Sequence, residues 1–366
     1  MQHSNLSKFL KNTAAVALMA LSACALPACS DDNDEPAPLP QPTASGLFIV
    51  NEGNYGAGNA TLSYFSPQTN TVAQEVFYRA NDARLGDVAN SMTLHDNLGW
   101  VVVNGSNVIF AIAADTYIEK GRIDKGISSP RWIHFVDDTK AYVTQLYDNR
   151  IAIVNPTTYT VTGYIDVPGQ EMGSGSTEMM VQVGNYVYVN CWSYQKSIIR
   201  IDTTTDRVDA TLEVGVQPKS IVLDRDNNIW ALTDGGGWEG NPAGYEAPAL
   251  VKIDTRSFTV AQTLKMNLGD YTPTLAINGT RDRLYWIQND VYTMPISSTE
   301  LPAKPLISSE GHYYYGLTVD PERGDIFIAD AVDYVQNGRL IRYDSEGKLI
   351  GTVATGICPH AFCWKK

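Results

Sequence analysis

Pro130-Arg131-Trp132-Ile133-His134-Phe135-Val136-Asp137-Asp138-Thr139-Lys140-Ala141-Tyr142-Val143 is the stretch on which the fold turns. Trp132 to Phe135 is a short aromatic and β-branched run, Asp137 to Lys140 is a polar turn, and Ala141-Tyr142-Val143 is a second apolar run. Short runs of this kind bounded by turn residues are strands, and two joined by a tight polar turn form a hairpin. A polar loop, Gln145 to Asn149, leads to a third run at Ile151–Val154, a turn at Asn155-Pro156-Thr157 and a fourth run at Val161–Ile165. The same order returns at Pro218, with Ser220–Leu223, the turn Asp224–Asn228, Ile229–Leu232, Leu250–Asp254 and Phe258–Leu264.

Outward from these two units the chain repeats. First strands begin near Ser91, Pro130, Glu178, Pro218, Pro273, Tyr315 and Pro359, in steps of 39, 48, 40, 55, 42 and 44 residues. That is the period of a four-stranded propeller blade. The last unit holds one strand, Ala361–Trp364, and residues 47–78 hold three, at Leu47–Val50, Ala60–Phe65 and Val72–Phe77. One terminal and three initial strands make a single blade, so the expectation is an all-β, seven-bladed β-propeller of four-stranded blades. The C-terminal strand completes the first blade, and a ring closed in this way leaves no large unpaired sheet edge.

A propeller separates its connections into two ends. The hairpins between third and fourth strands, such as Asp115-Thr116, Asn155-Pro156, Asp202-Thr203, Asp254-Thr255 and Asp344-Ser345, resemble one another. Asx and Ser/Thr side chains bond nearby backbone in turns, so these are structural and not metal sites. The other end carries the loops between second and third strands and the blade junctions, and these are irregular. Nearly every one offers an amide or carboxylate and most add an aromatic. The expected ligand contacts are Asn54, Tyr55, Arg84, Asn104, Arg131, Tyr147, Asp148, Trp192, Tyr194, Trp238, Glu239, Asn289, Tyr314, Asp333 and Tyr334. Rigid rings beside amides suit a large, rigid ligand covered in hydrogen-bonding groups. Combined Trp192→Ala and Tyr194→Ala substitution is therefore expected to weaken binding with little effect on stability.

Composition excludes other classes. With 27 Lys+Arg against 40 Asp+Glu the net charge is −13, and no basic stripe for nucleic acid is visible. Five Cys are too few for a disulfide scaffold in 366 residues. Lys8 and Lys11 precede an apolar run from Thr13 to Ala23, too short to span a bilayer, that reads as a secretory signal peptide. Leu21-Ser22-Ala23-Cys24 and Leu26-Pro27-Ala28-Cys29 both resemble a lipobox. Cys29 is followed by Ser30-Asp31-Asp32-Asn33-Asp34-Glu35, similar to the acidic export signal of surface lipoproteins in Bacteroides-type bacteria, which favours Cys29 as the lipid anchor over Cys24. The expected organisation is signal peptide 1–28, lipidated acidic and Pro-rich tether 29–45, and propeller 46–366. Removing residues 1–28 moves the net charge from −13 to −15.

Catalysis finds little support in the sequence. No His pair at helical spacing and no Cys-x-x-Cys suggests a metal, and Gly173-Ser174-Gly175-Ser176 lacks the following helix of a phosphate loop or nucleophile elbow. Asp330 and Asp333 read as loop acids, and Cys191 as a small buried filler. Neither an enzyme activity, a metal nor a resident cofactor is expected.

Several longer motifs add a resemblance. Gly46-Leu47-Phe48-Ile49-Val50-Asn51-Glu52-Gly53-Asn54, Val189-Asn190-Cys191-Trp192-Ser193-Tyr194-Gln195 and Gly244-Tyr245-Glu246-Ala247-Pro248 are three of them. Tyr314-Tyr315-Gly316-Leu317-Thr318-Val319, Ala329 to Gln336 and Ala361-Phe362-Cys363-Trp364-Lys365 complete the set. Together they resemble the BtuG-type vitamin B12-binding propeller lipoproteins over essentially all of residues 46–366. The resemblance implies a surface-exposed protein, lipid-anchored in the outer membrane, that captures cobalamin and delivers it to a TonB-dependent transporter. A glycan-binding surface lipoprotein and a propeller lactonase or lyase are the alternatives.

Overall fold

In the computed structural model, residues 45–169 and 176–365 are described, together with Leu39. The expected lipid-anchor cysteines Cys24 and Cys29, and residues 173–175 of the glycine-serine segment, lie outside them. The chain divides into Met1–Pro38 and Leu39–Lys366, and the second unit is the ring.

Blade 1 holds β1 (Gly46–Asn51), β2 (Thr61–Ser66) and β3 (Thr71–Ala73). Blade 2 holds β4 (Ala89–His95), β5 (Leu98–Val103), β6 (Val108–Ala113) and β7 (Glu119–Ile123). Blade 3 runs through β8 (Pro130–Asp137), β9 (Lys140–Gln145), β10 (Arg150–Asn155) and β11 (Thr160–Asp166). Blade 4 has β12 (Thr177–Val183), β13 (Tyr186–Cys191), β14 (Ser197–Asp202) and β15 (Arg207–Glu213). Blade 5 has β16 (Pro218–Leu223), β17 (Ile229–Thr233), β18 (Ala249–Asp254) and β19 (Thr259–Lys265). Blade 6 contains β20 (Leu275–Ile277), β21 (Arg283–Gln288) and β22 (Asp290–Pro295), and blade 7 contains β23 (Tyr314–Val319), β24 (Ile326–Asp330), β25 (Asn337–Tyr343) and β26 (Leu349–Ile357).

The last strand, β27 (Pro359–Lys365), pairs antiparallel with β1 and is the innermost strand of blade 1. Each innermost strand touches the next around the axis, from β4 through β8, β12, β16, β20 and β23 to β27 and back to β4. The seven-bladed ring closed by the C-terminal strand is as expected.

Two local differences from the sequence reading have plain causes. Blade 6 has three strands, and its fourth position is only a bridge between Val291 and Ile307. Pro302 and Pro305 fall where that strand would run, and proline cannot donate to a ladder. The run expected to continue to Phe77 instead ends at Ala73, and Val76–Asn81 forms a short helix, α1. Glu75, left-handed at φ 54°, turns the chain out of the strand, and Phe77 packs on Phe110 with ring centroids 4.9 Å apart.

The core lies between blades. In β1 the consecutive residues Leu47, Phe48, Ile49 and Val50 are all buried. Alternate side chains of a strand point to opposite faces, so Phe48 and Val50 pack toward blade 2 while Leu47 and Ile49 pack toward blade 7. The second strands of the other blades follow the same rule: Trp100 and Val102 face blade 3, Trp230 and Leu232 face blade 6. A strand covered on both faces is apolar throughout, which is why these runs stand out in the sequence. Outer strands see water on one side, and β15 alternates exposed and half-buried residues along its whole length.

Candidate functional site

The antiparallel order within each blade sends the second-to-third-strand loops and the blade junctions to one end of the axis and the hairpins to the other. Among the described residues, nine Tyr and Trp side chains are exposed. Seven of them, Tyr55, Tyr147, Tyr194, Trp238, Tyr271, Tyr313 and Tyr334, sit on loops or junctions of the first end. The other two are Tyr78, on α1 within the junction from β3 to β4, and Tyr164 on the outer strand β11, so the hairpin end has none.

These rings stand on rigid loops. Tyr194, Asn289 and Tyr334 are left-handed, at φ 57°, 57° and 62°, so each loop turns sharply at the residue it presents. The Tyr194 N–H donates to Gln217 Oε1 (3.2 Å), and the Tyr334 carbonyl accepts from the Asn54 amide across the closing blade. Tyr334 also meets Tyr313 and Tyr315 edge-on, at 6.1 and 5.5 Å between centroids.

Inside this rim the axial channel opens into a cavity of about 320 Å³. Its polar wall is Glu52, Arg131, Glu178, Lys219, Tyr315 and His360, with Trp192 beside them. A repeated backbone device places most of these side chains. In the inner strands of blades 2, 3, 4, 5, 7 and 1, the pairing register slips by one residue within the first three. The residues in the slip are Asn90, Arg131, Glu178, Lys219, Tyr315 and His360, with Trp132 and Met179 sharing it in blades 3 and 4. A bulge re-aims the side chain of its extra residue, and all but Asn90 line the cavity. The residue before four of these strands, Val88, Ser129, Gln217 and Cys358, is left-handed without being glycine. Strained backbone of that kind persists where surrounding structure fixes it. Gly316 adds a close approach: a Cβ there would lie 2.1 Å from the His360 carbonyl oxygen, so only glycine lets β23 carry Tyr315 alongside β27.

The charges at the mouth are desolvated, and Arg131 and Glu178 are paired. Arg131 Nε donates to both oxygens of Glu178, at 2.8 and 3.0 Å, and Glu178 is buried. Burial pushes the Glu178 carboxyl above the usual carboxylate range, with Arg131 opposing the shift. Burial lowers the Lys219 ammonium, which lies 5.0 Å from the centre of the Trp192 ring. His360 is held below the ordinary imidazole value by burial, and its ring packs on Tyr315 at 4.8 Å. The Tyr315 hydroxyl donates to Glu52 Oε2 (3.1 Å), and burial with the Glu52 charge raises it well above an ordinary phenol.

The expected contacts divide three ways. Tyr55, Arg84, Tyr147, Tyr194, Trp238, Glu239, Asn289, Asp333 and Tyr334 are exposed, though Asn289 and Asp333 also hold their own loops through bonds to Tyr271 N, Val335 N and Gln336 N. Asn54 and Asp148 are half-buried and engaged, Asn54 with Asn59 and the Tyr334 carbonyl and Asp148 with Arg150 at 3.0 and 2.8 Å. Arg131 and Trp192 belong to the channel mouth.

Two assignments are corrected. Asn104 is buried, donating to the Pro130 carbonyl (3.2 Å), because the junction backbone leaves that acceptor open. Tyr314 is also buried, its hydroxyl 3.2 Å from Ser308 O and 3.1 Å from Tyr343 Oη, because strand alternation turns it inward and leaves Tyr313 exposed. Trp192 is half-buried and donates to Asp234 Oδ2 (2.7 Å), so it is not a purely surface side chain and its removal will disturb the wall.

Sequence reasoning missed Glu52, Glu178, Lys219, Tyr315 and His360 as site residues. A signal was present: Arg131, Lys219 and His360 each follow the proline that opens a first strand, the same phase of the repeat.

Metal-ligating geometry occurs elsewhere. Among the described residues His95, Asp96 and Asp138 form a group with ligand atoms close together, on the hairpin end, where His95 stacks on Phe135 at 4.0 Å. Asp330, by contrast, is buried and engaged by His312 Nδ1 (2.7 Å) and two backbone N–H groups.

The ring is shared with solved structures of low identity. A quinonprotein alcohol dehydrogenase-like protein from Bacteroides thetaiotaomicron is 15% identical with a TM-score of 0.66, over 88% of this chain and 78% of that one. A periplasmic gluconolactonase of Pseudomonas aeruginosa is 11% identical at 0.64, over 87% and 99%. A functionally unknown protein from Desulfotomaculum acetoxidans is 14% identical at 0.61, over 87% and 98%. At such identities the likeness is one of fold. No curated protein matches the chain. Residues 45–356, nearly the whole ring, match the family described as a domain of unknown function, DUF5074, and the chain belongs to that family.

Proposed function

We propose that the protein is a non-enzymatic surface receptor for cobalamin and related corrinoids. It is anchored by lipid on Cys29, or on Cys24 in the alternative lipobox, to the outer face of the outer membrane. It passes its ligand to a TonB-dependent transporter. The observation that carries this reading is the gathering of seven exposed aromatic side chains on one end of the ring. The motif resemblance to the vitamin B12-binding propeller lipoproteins supplies the ligand class.

The physical match is one of shape and hydrogen bonding. A corrin is rigid and edged with amides, so aromatic faces can cover its apolar surface while Asn and carboxylate groups meet its rim. Rigid partners on both sides keep the ordering cost low. The channel mouth, at about 320 Å³, is at the small end of pockets that enclose drug-sized molecules. A ligand as large as cobalamin therefore rests on the rim and inserts at most one group into the mouth.

Calorimetric titration of the ring domain with cyanocobalamin tests the reading. One-to-one binding is expected, and absence of heat together with absence of competition at micromolar ligand removes it. A propeller hydrolase is the second reading, favoured by the meeting of Tyr315, His360 and Lys219 at the mouth. Turnover of a lactone panel that disappears in His360→Ala would decide for it.

A further inference from the structure

The carboxylates and the cations of the channel mouth differ in how their hydrogen-bonding capacity is used. Both Glu178 oxygens accept from Arg131 Nε. Both Asp234 oxygens accept from Gln217 Nε2, and they also take Trp192 Nε1 (2.7 Å) and Gly236 N (2.8 Å). Glu52 accepts from the Tyr315 hydroxyl, and its other oxygen lies 3.8 Å from His360 Nε2. Every acid at the mouth therefore has protein donors.

The donors are not matched in this way. Lys219 Nζ has three N–H groups and no acceptor among the described residues; its neighbour is the Trp192 ring face. Arg131 engages only Nε, which leaves its Nη groups without an acceptor among the described residues. Nδ1 of His360 is buried and has no partner there. A half-buried ammonium without an acceptor is costly. Asp234, Glu178 and Glu52 offset part of that cost through space, while the positive charge of Arg131 adds to it.

An acceptor placed between them relieves both terms at once. We propose that the channel mouth is a binding site for an anionic oxygen group, a carboxylate or a phosphate, received by Lys219 Nζ and the free Nη edge of Arg131. A net charge of −13 gives the molecule no long-range attraction for anions, so capture depends on these contacts and not on steering. The site stands independently of what the aromatic rim holds.

Calorimetry and thermal melting in an anion-poor buffer test this, with inorganic phosphate and succinate as probes and choline chloride at matched ionic strength as the control. One or both anions are expected to bind with a Kd in the millimolar range or tighter and to raise the Tm, with choline chloride inert. The arm with the stronger response distinguishes phosphate from carboxylate. Lys219→Met should weaken the responding anion at least tenfold while the ligand-free Tm stays unchanged or rises, and Lys219→Arg should restore most of the affinity. Equal affinity in the wild type and Lys219→Met, or an equal response to choline chloride, overturns the proposal. Should Lys219→Met fail to fold, Lys219→Gln is judged by the same two outcomes. Cyanocobalamin titrated into the same variant separates the two sites: loss of phosphate or succinate binding with corrinoid binding retained belongs to the mouth alone.

Discussion

The two ends of the ring use the same polar residues with different regularity. On the hairpin end the Asx residues that open the third-to-fourth-strand turns hold those turns. Asp202 Oδ1 accepts from Thr204 N (2.8 Å) and Thr204 Oγ1 (2.6 Å), Asp254 Oδ1 accepts from Arg256 N and Ser257 N, and Asn155 Oδ1 accepts from Thr157 N. The same turn must be closed in blade after blade, so the same residue types return. Loops of the other end meet no such common requirement. A single residue, Asn289, joins β21 to β22, whereas residues 234–248 join β17 to β18. Repetition marks what the ring needs, and variation marks what the ring carries. The channel mouth combines them, because its bulge recurs while the side chain on the bulge changes from Arg131 to Lys219 to His360.

The largest effects should come from buried polar groups, one at each end. Arg131→Ala leaves the Glu178 carboxyl buried without its guanidinium, which should cost about 3–5 kcal/mol in urea unfolding. Replacing both members with apolar residues of similar volume should recover most of that loss. If Arg131→Ala unfolds like the wild type, the mouth is not built around a desolvated pair. On the hairpin end Asp224 is fully buried and accepts from Asp226 N, Asn228 N and Trp230 Nε1. Asp224→Ala orphans the buried indole N–H, and a loss of about 2–3 kcal/mol is expected with ligand binding unchanged in the folded fraction. Altered binding would mean that the two ends are coupled.

Acid titration sharpens the contrast with a smaller effect. Hydrogen bonds from their turns hold Asp137, Asp202, Asp254 and Asp282 below the ordinary carboxylate range. Their folded forms bind protons less readily than the unfolded chain. The stability they contribute is therefore complete above about pH 3.9 and is lost as the pH falls through the depressed folded values. His360 and His134 are also depressed, by burial, so the unfolded chain takes up their protons first and stability falls as pH drops below about 6.5 toward the lower folded values. Melting curves from pH 8 to pH 2 should show two limbs. His360→Gln together with His134→Gln should flatten the upper limb alone, and Asp202→Asn with Asp254→Asn should flatten the lower. A single limb removed by neither change would refute this division.

Much of the ring was legible because its signals are local and repeated. Leu47 to Val50 and Ile229 to Leu232 read as strands since burial on both faces leaves no polar position. The turn acids read as structural since their partners lie two or three residues away. What escaped was set by contacts distant in sequence. Glu52 and Tyr315 are 263 residues apart and meet through ring closure, and Arg131 and Glu178 are 47 apart and meet where consecutive blades pack. Tyr313 and Tyr314 could not be ranked from composition, because which ring faces solvent depends on where the strand begins. Asn104 was misassigned for a related reason: its acceptor is a carbonyl of the next blade.

The smallest effect on stability, and the sharpest on binding, belongs to the exposed rings. Trp238 is 56% exposed and has no ring contact or side-chain hydrogen bond among the described residues. Trp238→Ala should shift unfolding by no more than about 0.5 kcal/mol. Tyr194 is 51% exposed, but its left-handed φ of 57° adds backbone strain, so Asn is the cleaner replacement there. Combining Trp192→Ala with Tyr194→Ala would blur the experiment, since Trp192 carries the bond to Asp234 and the contact with Lys219. Cyanocobalamin titrated into Trp238→Ala and Tyr194→Asn should bind several-fold more weakly, at an unchanged Tm. Aromatic removal away from the loop end, Tyr164→Ala on β11, should leave that affinity as it was. Equal loss in all three variants would mean that exposed rings matter wherever they sit, and the loop end would lose its claim to be the receptor surface.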